Sequence, residues 1–478
     1  MLASSKEQSS RFLRVHRLCI VFVLLLMAPT QNLASVQTIR HELKKALSKG
    51  LLSFATGTQK DVMLSVHELS GLRSYLWRRY KKEVQHNPTR RLEHATNKLT
   101  FDKKTMHYFV KKIGRPPKSG YPLYIALHGG GNASSSLNDA QWRHMQRYYR
   151  TSVKAGVYVA PRGISNTSDL HARPASFPLY DRLIENMLAF EHIDPNRVYV
   201  LGFSAGGDGV YQIVPELADR FAAANMSAGH PGGAEATNFL HVPLLLQVGE
   251  WDKAYKRHLV TVDFYKTLRK LSQQFPGMYR HQLFLHARRY HNFLDNDPKR
   301  RSQVVIQDPL SWRRSPQQQK TLTRNTNAVD WVSRYKRNPY PKELRWDIRL
   351  QQDRSGKIHG QRALWLYKHK GSAFYWLDTD GYDSRLTGEE IHVRLDKKRN
   401  RIIVKKAHSY IRILLRDELL DLSKQIHIHV GGQVLHIRVN RSLRELVKSL
   451  LQRGDPSYFF EASVILFRDK GRWQAIPS

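Results

Sequence analysis

The stretch Val198-Tyr199-Val200-Leu201-Gly202-Phe203-Ser204-Ala205-Gly206 decides the fold. Its four leading apolar residues predict a short strand, and a helical segment follows the second glycine. Glycines on both sides of Ser204 permit a strained strand-to-helix turn that lifts the hydroxyl above a sheet, with an N–H at the helix start facing a developing oxyanion. A bare Gly-x-Ser-x-Gly carries little weight, because both residue types are common in turns. Here the strand ahead and the helix behind supply the context.

Upstream, the apolar run Tyr121 to Leu127 ends in His128-Gly129-Gly130-Gly131. Glycines there let the backbone approach a substrate, and the amides of Gly129 and Gly130, with that of Ala205, are the candidate oxyanion donors. A phosphate cradle fits less well, since no Lys-Ser/Thr pair follows the glycines. Downstream, the run Val242 to Val248 leads into Gly249-Glu250-Trp251-Asp252, and Gln282 to Leu285 leads through His286 to Tyr290-His291-Asn292-Phe293. The chain order serine, acid, histidine is the one a Ser204–His291–Asp252 triad on such a sheet requires. Glu250 is the rival acid and His286 the rival base; His291 is preferred because it lies in the loop beyond the strand. The predicted chemistry uses no metal and no organic cofactor. His128, Trp142, Trp251 and Tyr255 are candidate substrate-binding residues, and Asp208, just past the serine turn, is expected to support the helix start.

The segments Leu127 to Gly131, Asn138 to Trp142, Ala160 to Gly163, Gly202 to Gly209, Phe221 to Ala224 and Val248 to Tyr255 resemble bacterial exported serine hydrolases related to polyhydroxyalkanoate depolymerases and feruloyl or acetyl esterases. The likeness covers about residues 100–300. It implies an α/β-hydrolase fold, a Ser-His-Asp triad and esterase-type activity on an ester substrate. The chain departs from the family pattern between Ser168 and Ser176 and in having Asn292 and Phe293 after the histidine, positions expected to shape the acyl pocket.

With 478 residues the chain is long enough for two or more domains. Residues 36–99 show helical periodicity at Leu43, Leu47 and Leu51 and again at Leu72, Tyr75, Leu76 and Tyr80, predicting a helical prefix. Residues 100–300 alternate apolar strands with helices such as Leu179 to Phe190, the pattern of an α/β domain with a mostly parallel sheet covered on both faces. Residues 301–342, rich in Arg, Gln and Ser at first, are expected to be a connecting segment. Period-two strands then predict a small β-rich domain over 343–478, a sandwich, with a hairpin turn at Gly431-Gly432 and one helix at Leu443 to Leu451.

Arg11, Arg14 and Arg17 precede the apolar run Leu18 to Met27, which exits through small residues near Ala34 and Ser35. This order predicts a secretory signal over residues 1–35, since the run is about half of the roughly 20 residues a spanning helix needs. The mature chain would then be exported, periplasmic or secreted, without a membrane-spanning helix. It would also lack cysteine, because Cys19 is the single one.

Lys and Arg number 78 against 40 Asp and Glu, a formal charge of +38, and hydrophobic residues at 41% place that charge on a folded protein. Export argues against a nucleic-acid partner, so Gly114-Arg115-Pro116-Pro117-Lys118 is read as a solvated loop. The run Lys397, Lys398, Arg399, Arg401, Lys405 and Arg412, with Asp396 as its only acid, is a candidate contact for anionic envelope lipid or glycan or else a solvated hairpin. His427 and His429 share a strand face at metal-ligand spacing but lack a third ligand, so a polar sheet face is expected there.

Overall fold

The computed structural model describes residues 43, 45–312, 319–348, 373–379, 390–407 and 409–478. The predicted export signal and Cys19 lie outside the described residues. The chain divides into two compact units, Met1–Val62 and Met63–Ser478. In the first, the helix Leu51–Thr56 buries Leu51, Phe54 and Ala55.

The second unit opens with the helix Val66–His86, whose Ser65–Glu68 capping box satisfies two N-terminal amides reciprocally. Strands follow at β1 (Lys98–Phe101), β2 (Lys104–Ile113), β3 (Tyr121–Leu127), β4 (Gly156–Pro161), β5 (Ile193–Phe203), β6 (Ala223–Ser227), β7 (Leu244–Gly249), β8 (His281–His286), β9 (Ser302–Ile306) and β10 (Thr321–Asn325). Among the described residues these form one sheet in the order β1-β2-β4-β3-β5-β6-β7-β8-β9-β10. From β4 to β8 every neighbouring pair is parallel, whereas β2 runs antiparallel to β4.

The apolar runs are unbroken because both sheet faces are buried. In β3, Leu123, Ile125 and Leu127 pack into one core while Tyr124 and Ala126 pack into the other. Helices Ser176–Phe190, Ala205–Glu216 and Arg257–Gln274 supply the first core through residues such as Phe177, Val210 and Val262. The second is covered in part by Met145 and by Ala328, Val329, Trp331 and Val332.

The last four residues correct the predicted connector. Residues 301–342 hold β9, β10 and the helix Ala328–Val332, so the large sheet and its cover extend well past residue 300. The physical reason is burial: Val329, Trp331 and Val332 become almost fully enclosed, each contributing about 1.5–3 kcal/mol relative to exposure.

Two further sheets follow. One has the order β11-β14-β15-β17-β18, from β11 (Glu343–Asp347), β14 (Glu390–Asp396), β15 (Arg401–Lys406), β17 (Ile426–Val430) and β18 (Gln433–Ile437). The other has β12-β13-β16-β19-β20, from β12 (Ala373–Phe374), β13 (Leu377–Asp378), β16 (Tyr410–Leu415), β19 (Ala462–Asp469) and β20 (Arg472–Pro477). Alternate residues of both, among them Ile391, Val393, Ile402, Ile411, Ile413 and Val464, enter one apolar core. Gly431 and Gly432 turn the β17–β18 hairpin with φ of 53° and 79°. The run Ala373 to Leu377 is broken into β12 and β13, with Tyr375 at φ 57° between them.

The β-rich part is fixed to the large-sheet part by buried polar contacts. Arg337 Nη1 lies 2.9 Å from Asp455 Oδ2, and Asp347 N–H donates to Asn238 Oδ1 at 2.7 Å. The helix Val66–His86 spans both, with Arg73 3.0 Å from Glu461 and Gln85 Nε2 donating to the Ala189 carbonyl at 2.8 Å. No helix among the described residues is long and apolar enough to cross a membrane.

Candidate active site

The chain turns from β5 into the helix Ala205–Glu216 at Ser204, whose φ of 59° and ψ of −124° fall where non-glycine residues rarely sit. The surrounding backbone holds that strain. Ser204 N–H donates to the Ser227 carbonyl at 2.9 Å, and Asp208 N–H closes the first helical turn on the Ser204 carbonyl at 3.0 Å. Gly202 and Gly206 are required by contact: a Cβ would lie 2.1 Å from Gly206 O at the first and 2.1 Å from Leu127 O at the second. Ala205 is the first residue of the helix, so its amide has no intrahelical partner by position.

The glycine loop after β3 comes alongside. A Cβ on Gly129 would sit 3.3 Å from Ser204 Cβ, which places the Gly129 backbone against the serine. Gly130 and Gly131 adopt φ of 109° and 80°. Gly131 N–H is taken by the buried Asn138 Oδ1 at 2.8 Å, while among the described residues no hydrogen bond occupies the Gly129 or Gly130 amide. The loop therefore presents unoccupied donors next to the serine, together with Ala205.

His291 Nε2 lies 3.0 Å from Ser204 Oγ, and His291 Nδ1 lies 2.8 Å from Asp252 Oδ2. Asp252 is 2% exposed, so the carboxylate is shielded and fixes the ring's tautomer with Nδ1–H donating. The rivals are engaged elsewhere. Glu250 Oε2 accepts the Arg288 N–H at 2.7 Å, and His286, fully buried, bonds Gln247 Oε1 at 2.9 Å. Burial pushes the His286 pKa down to about 3, which keeps the ring neutral.

Of the four candidate substrate-binding residues, two face the protein instead. His128 is wholly buried, with Nδ1 on the Gly129 carbonyl at 2.6 Å and Nε2 accepting from Gly163 N–H at 3.0 Å. Burial lowers its pKa to about 4. Trp142 turns its indole N–H onto the Ala160 carbonyl at 2.8 Å and packs in the second core. Trp251 and Tyr255 remain exposed; Trp251 meets Tyr290 edge-on at 5.2 Å. Phe293, expected at the acyl pocket, is buried instead, stacked 4.4 Å from His286 and tilted against Phe203 at 5.4 Å. The divergent stretch Ser168 to Ser176 contributes Leu170, packed on Gly131 and Gly163, and His171, whose Nε2 bonds the His128 carbonyl at 2.9 Å. Asp208 Oδ1 accepts the His230 N–H at 2.6 Å, so it joins two loops besides lying in the first helical turn.

One cluster escaped the sequence reading. Asp295 is fully buried beneath the serine turn and accepts from Tyr149 Oη at 2.7 Å, from Tyr148 and from Ser227. Ser227 in turn holds Ser204 through its carbonyl, and Asn225 Nδ2 donates to Ser227 Oγ at 3.0 Å. Asp295 thereby ties the loop that begins at His291 to the strand under Ser204. Burial raises its pKa and the hydrogen bonds oppose the rise. The only linear hint was an acid directly after the apolar pair Phe293-Leu294.

Part of the basic run is paired internally: Arg401 with the run's own Asp396 at 2.8 Å, and Lys405 with Glu343 at 2.7 Å and Arg412 with Glu445, two acids distant in sequence. His427 Nδ1 lies 2.9 Å from His436 Nδ1 across the hairpin. Among the described residues no group of three or more His, Cys, Asp or Glu side chains is arranged to hold a metal ion.

No protein-family profile matches the chain, and no curated protein matches it. Among solved structures it is similar to a thermostable esterase, with 20% identity and a TM-score of 0.33 over 50% of this chain and 64% of that one, less than two thirds of the esterase's length. It is also similar to a ferulic acid esterase (13% identity, TM-score 0.32, 50% and 96% of the two chains). A third is the poly(3-hydroxybutyrate) depolymerase LpqC from Bordetella parapertussis (17% identity, TM-score 0.32, 40% and 80%). The strand order β1-β2-β4-β3-β5-β6-β7-β8, the antiparallel second strand and the strained serine after β5 make residues 98–332 an α/β-hydrolase fold, followed by a β-rich C-terminal part.

Proposed function

We propose that the protein is a serine hydrolase that cleaves a carboxylic ester through an acyl-enzyme. Ser204 Oγ attacks the carbonyl carbon as His291 Nε2 takes its proton. Asp252 holds the Nδ1–H and stabilises the imidazolium, and the amides of Gly129, Gly130 and Ala205 receive the oxyanion. His291 returns the proton to the leaving alcohol, then activates a water that releases the acid and frees Ser204.

The observation that supports this reading is the continuous line from Ser204 Oγ through both ring nitrogens of His291 to Asp252, at 3.0 and 2.8 Å. A fluorophosphonate probe tests it: wild type labels and Ser204→Ala does not. Equal labelling of the two, or a folded wild type that does not label, overturns the reading. Nitrophenyl esters of graded chain length set beside the matching anilides test the ester assignment, which fails if the anilides turn over as fast. We further propose export, supported by the basic-then-apolar order of residues 11–35; N-terminal sequencing of the mature protein tests it, and a chain beginning at Met1 or Leu2 overturns it.

A further inference from the structure

Beside the triad lies a cation that the mechanism above leaves unused. Arg257 opens the 18-residue helix Arg257–Gln274, five residues past Asp252, yet its side chain is turned in and it is 8% exposed. Its Nε is enclosed without a hydrogen-bond partner, and Nη1 makes only a long bond of 3.4 Å to the Ala254 carbonyl. A buried guanidinium in this state is costly unless it meets a counter-charge. Asp208, one helical turn past Ser204, acts on it only at a distance: Arg257 and His291 both lower the Asp208 pKa, against the larger effect of burial, which leaves it raised to about 6. Arg257 thus lies within electrostatic reach of the same carboxyl as the catalytic histidine.

The backbone that delivers Arg257 is strained. Tyr255 and Lys256 sit consecutively at φ of 52° and 56°, and the Tyr255 ring covers the Arg257 guanidinium at 4.7 Å. Two successive left-handed non-glycine residues persist only where the surroundings impose them. The helix N-terminus adds partial positive charge at the same point. Lys253, Arg288 and Arg289 are exposed on the two loops that carry Asp252 and His291 and make no ion pair among the described residues.

We infer that the ester taken by this site carries a carboxylate close to the scissile bond, held by Arg257 and steered in by the cations of the two loops. The exposed Trp251–Tyr290 pair adds apolar surface on the same two loops. This rests on the esterase reading, and the two are separable by experiment.

The test compares the full-length protein on 4-nitrophenyl valerate against the 4-nitrophenyl monoester of glutaric acid, and on phenyl acetate against 4-acetoxybenzoate. The first pair places the carboxylate on the acyl side and the second on the alcohol side. The expected result is a preference in kcat/KM of about tenfold or more for the anion in one pair, shrinking as salt rises from 20 to about 500 mM. Arg257→Gln, and separately the exposed double variant Lys253→Glu/Arg289→Glu, are expected to lower the anion-to-neutral ratio about tenfold. Hydrolysis of the neutral esters with no preference in either pair overturns the carboxylate inference and leaves the esterase reading standing. An unchanged ratio in both folded variants also overturns it. No hydrolysis of any of the four overturns the esterase reading and this inference with it.

Discussion

Arg453, at the end of the last helix of the β-rich part, places Nη2 2.8 Å from the Asp219 carboxylate of the large-sheet part, with both side chains almost wholly buried. Removing one partner of such a pair strands the other in low dielectric, at a cost of about 3–5 kcal/mol. Arg453→Met and Asp219→Leu should each lower stability by that much in urea titration, and the double variant by less than their sum. Because the cluster joins the two parts, tryptophan fluorescence and circular dichroism should report one coincident transition for residues 63–478.

Asp252→Asn is expected to lower kcat by about 10⁴, through loss of the tautomer that Nδ1–H donation enforces. Glu250→Gln should change kcat by less than about tenfold, because Glu250 clamps the Arg288 amide and does not reach the histidine. Steady-state kinetics on one nitrophenyl ester separates the two acids.

Asp295 should behave as a positioning residue. With Asp295→Ala, the loop from His291 loses its tie to Ser227 and the tyrosine pair, and kcat should fall about 10²-fold with KM within a factor of about three. Asp295→Asn keeps an acceptor at the same place and should recover most of the loss. An equal rise in KM for both variants would show that the cluster shapes binding instead.

Gly206→Ala should prevent folding of the serine turn, since its Cβ would lie 2.1 Å from the Leu127 carbonyl. The expected outcome is insoluble protein or a loss of stability beyond about 4 kcal/mol, read by the soluble fraction and by melting.

Stability should fall in acid with an identifiable slope. His128 and His286 are held by burial at about 4 and about 3, below the ordinary histidine value near 6.5, so the folded state binds fewer protons than the unfolded one once pH drops under about 6.5. Each then removes about 1.4 kcal/mol per pH unit until its folded value is reached. Asp208, raised to about 6, has the opposite sign. Its ionised form is penalised above pH 6, and the penalty is relieved as pH falls toward 3.8. Urea midpoints for wild type, His286→Gln and Asp208→Asn from pH 8 to pH 4.5 should show a shallower acid slope for the first variant and a steeper one for the second.

The parts of the fold that could be read in the sequence are those where burial is two-sided. β3, β4, β7 and the second half of β5, from Val198, are apolar at nearly every position, so their ends, where the glycine loop, Ser204 and Asp252 stand, were placed within a few residues. β9 and β10 at the sheet's far edge have mostly exposed residues, including Thr321, Thr323 and Arg324, and such edge strands look like loop. The histidines show the other limit. That His291 faces Ser204 follows from chain order in this topology, but that His128 is enclosed depends on Gly163 and His171, which only folding brings near. Asp295 was missed for the same reason: its partners Tyr148, Tyr149 and Ser227 come from two distant segments.

Arg220 has its guanidinium 3.6 Å from Asp455, Arg337 reaches the same acid, and Asp219 waits for Arg453. These partners stand near the C-terminal end of the chain, whereas Arg220 and Asp219 lie in its middle. During synthesis every strand of the large sheet therefore precedes Arg453 and Asp455, so Arg220 can meet Asp181 early while this part of the buried charge cluster closes only after those last two residues have been added.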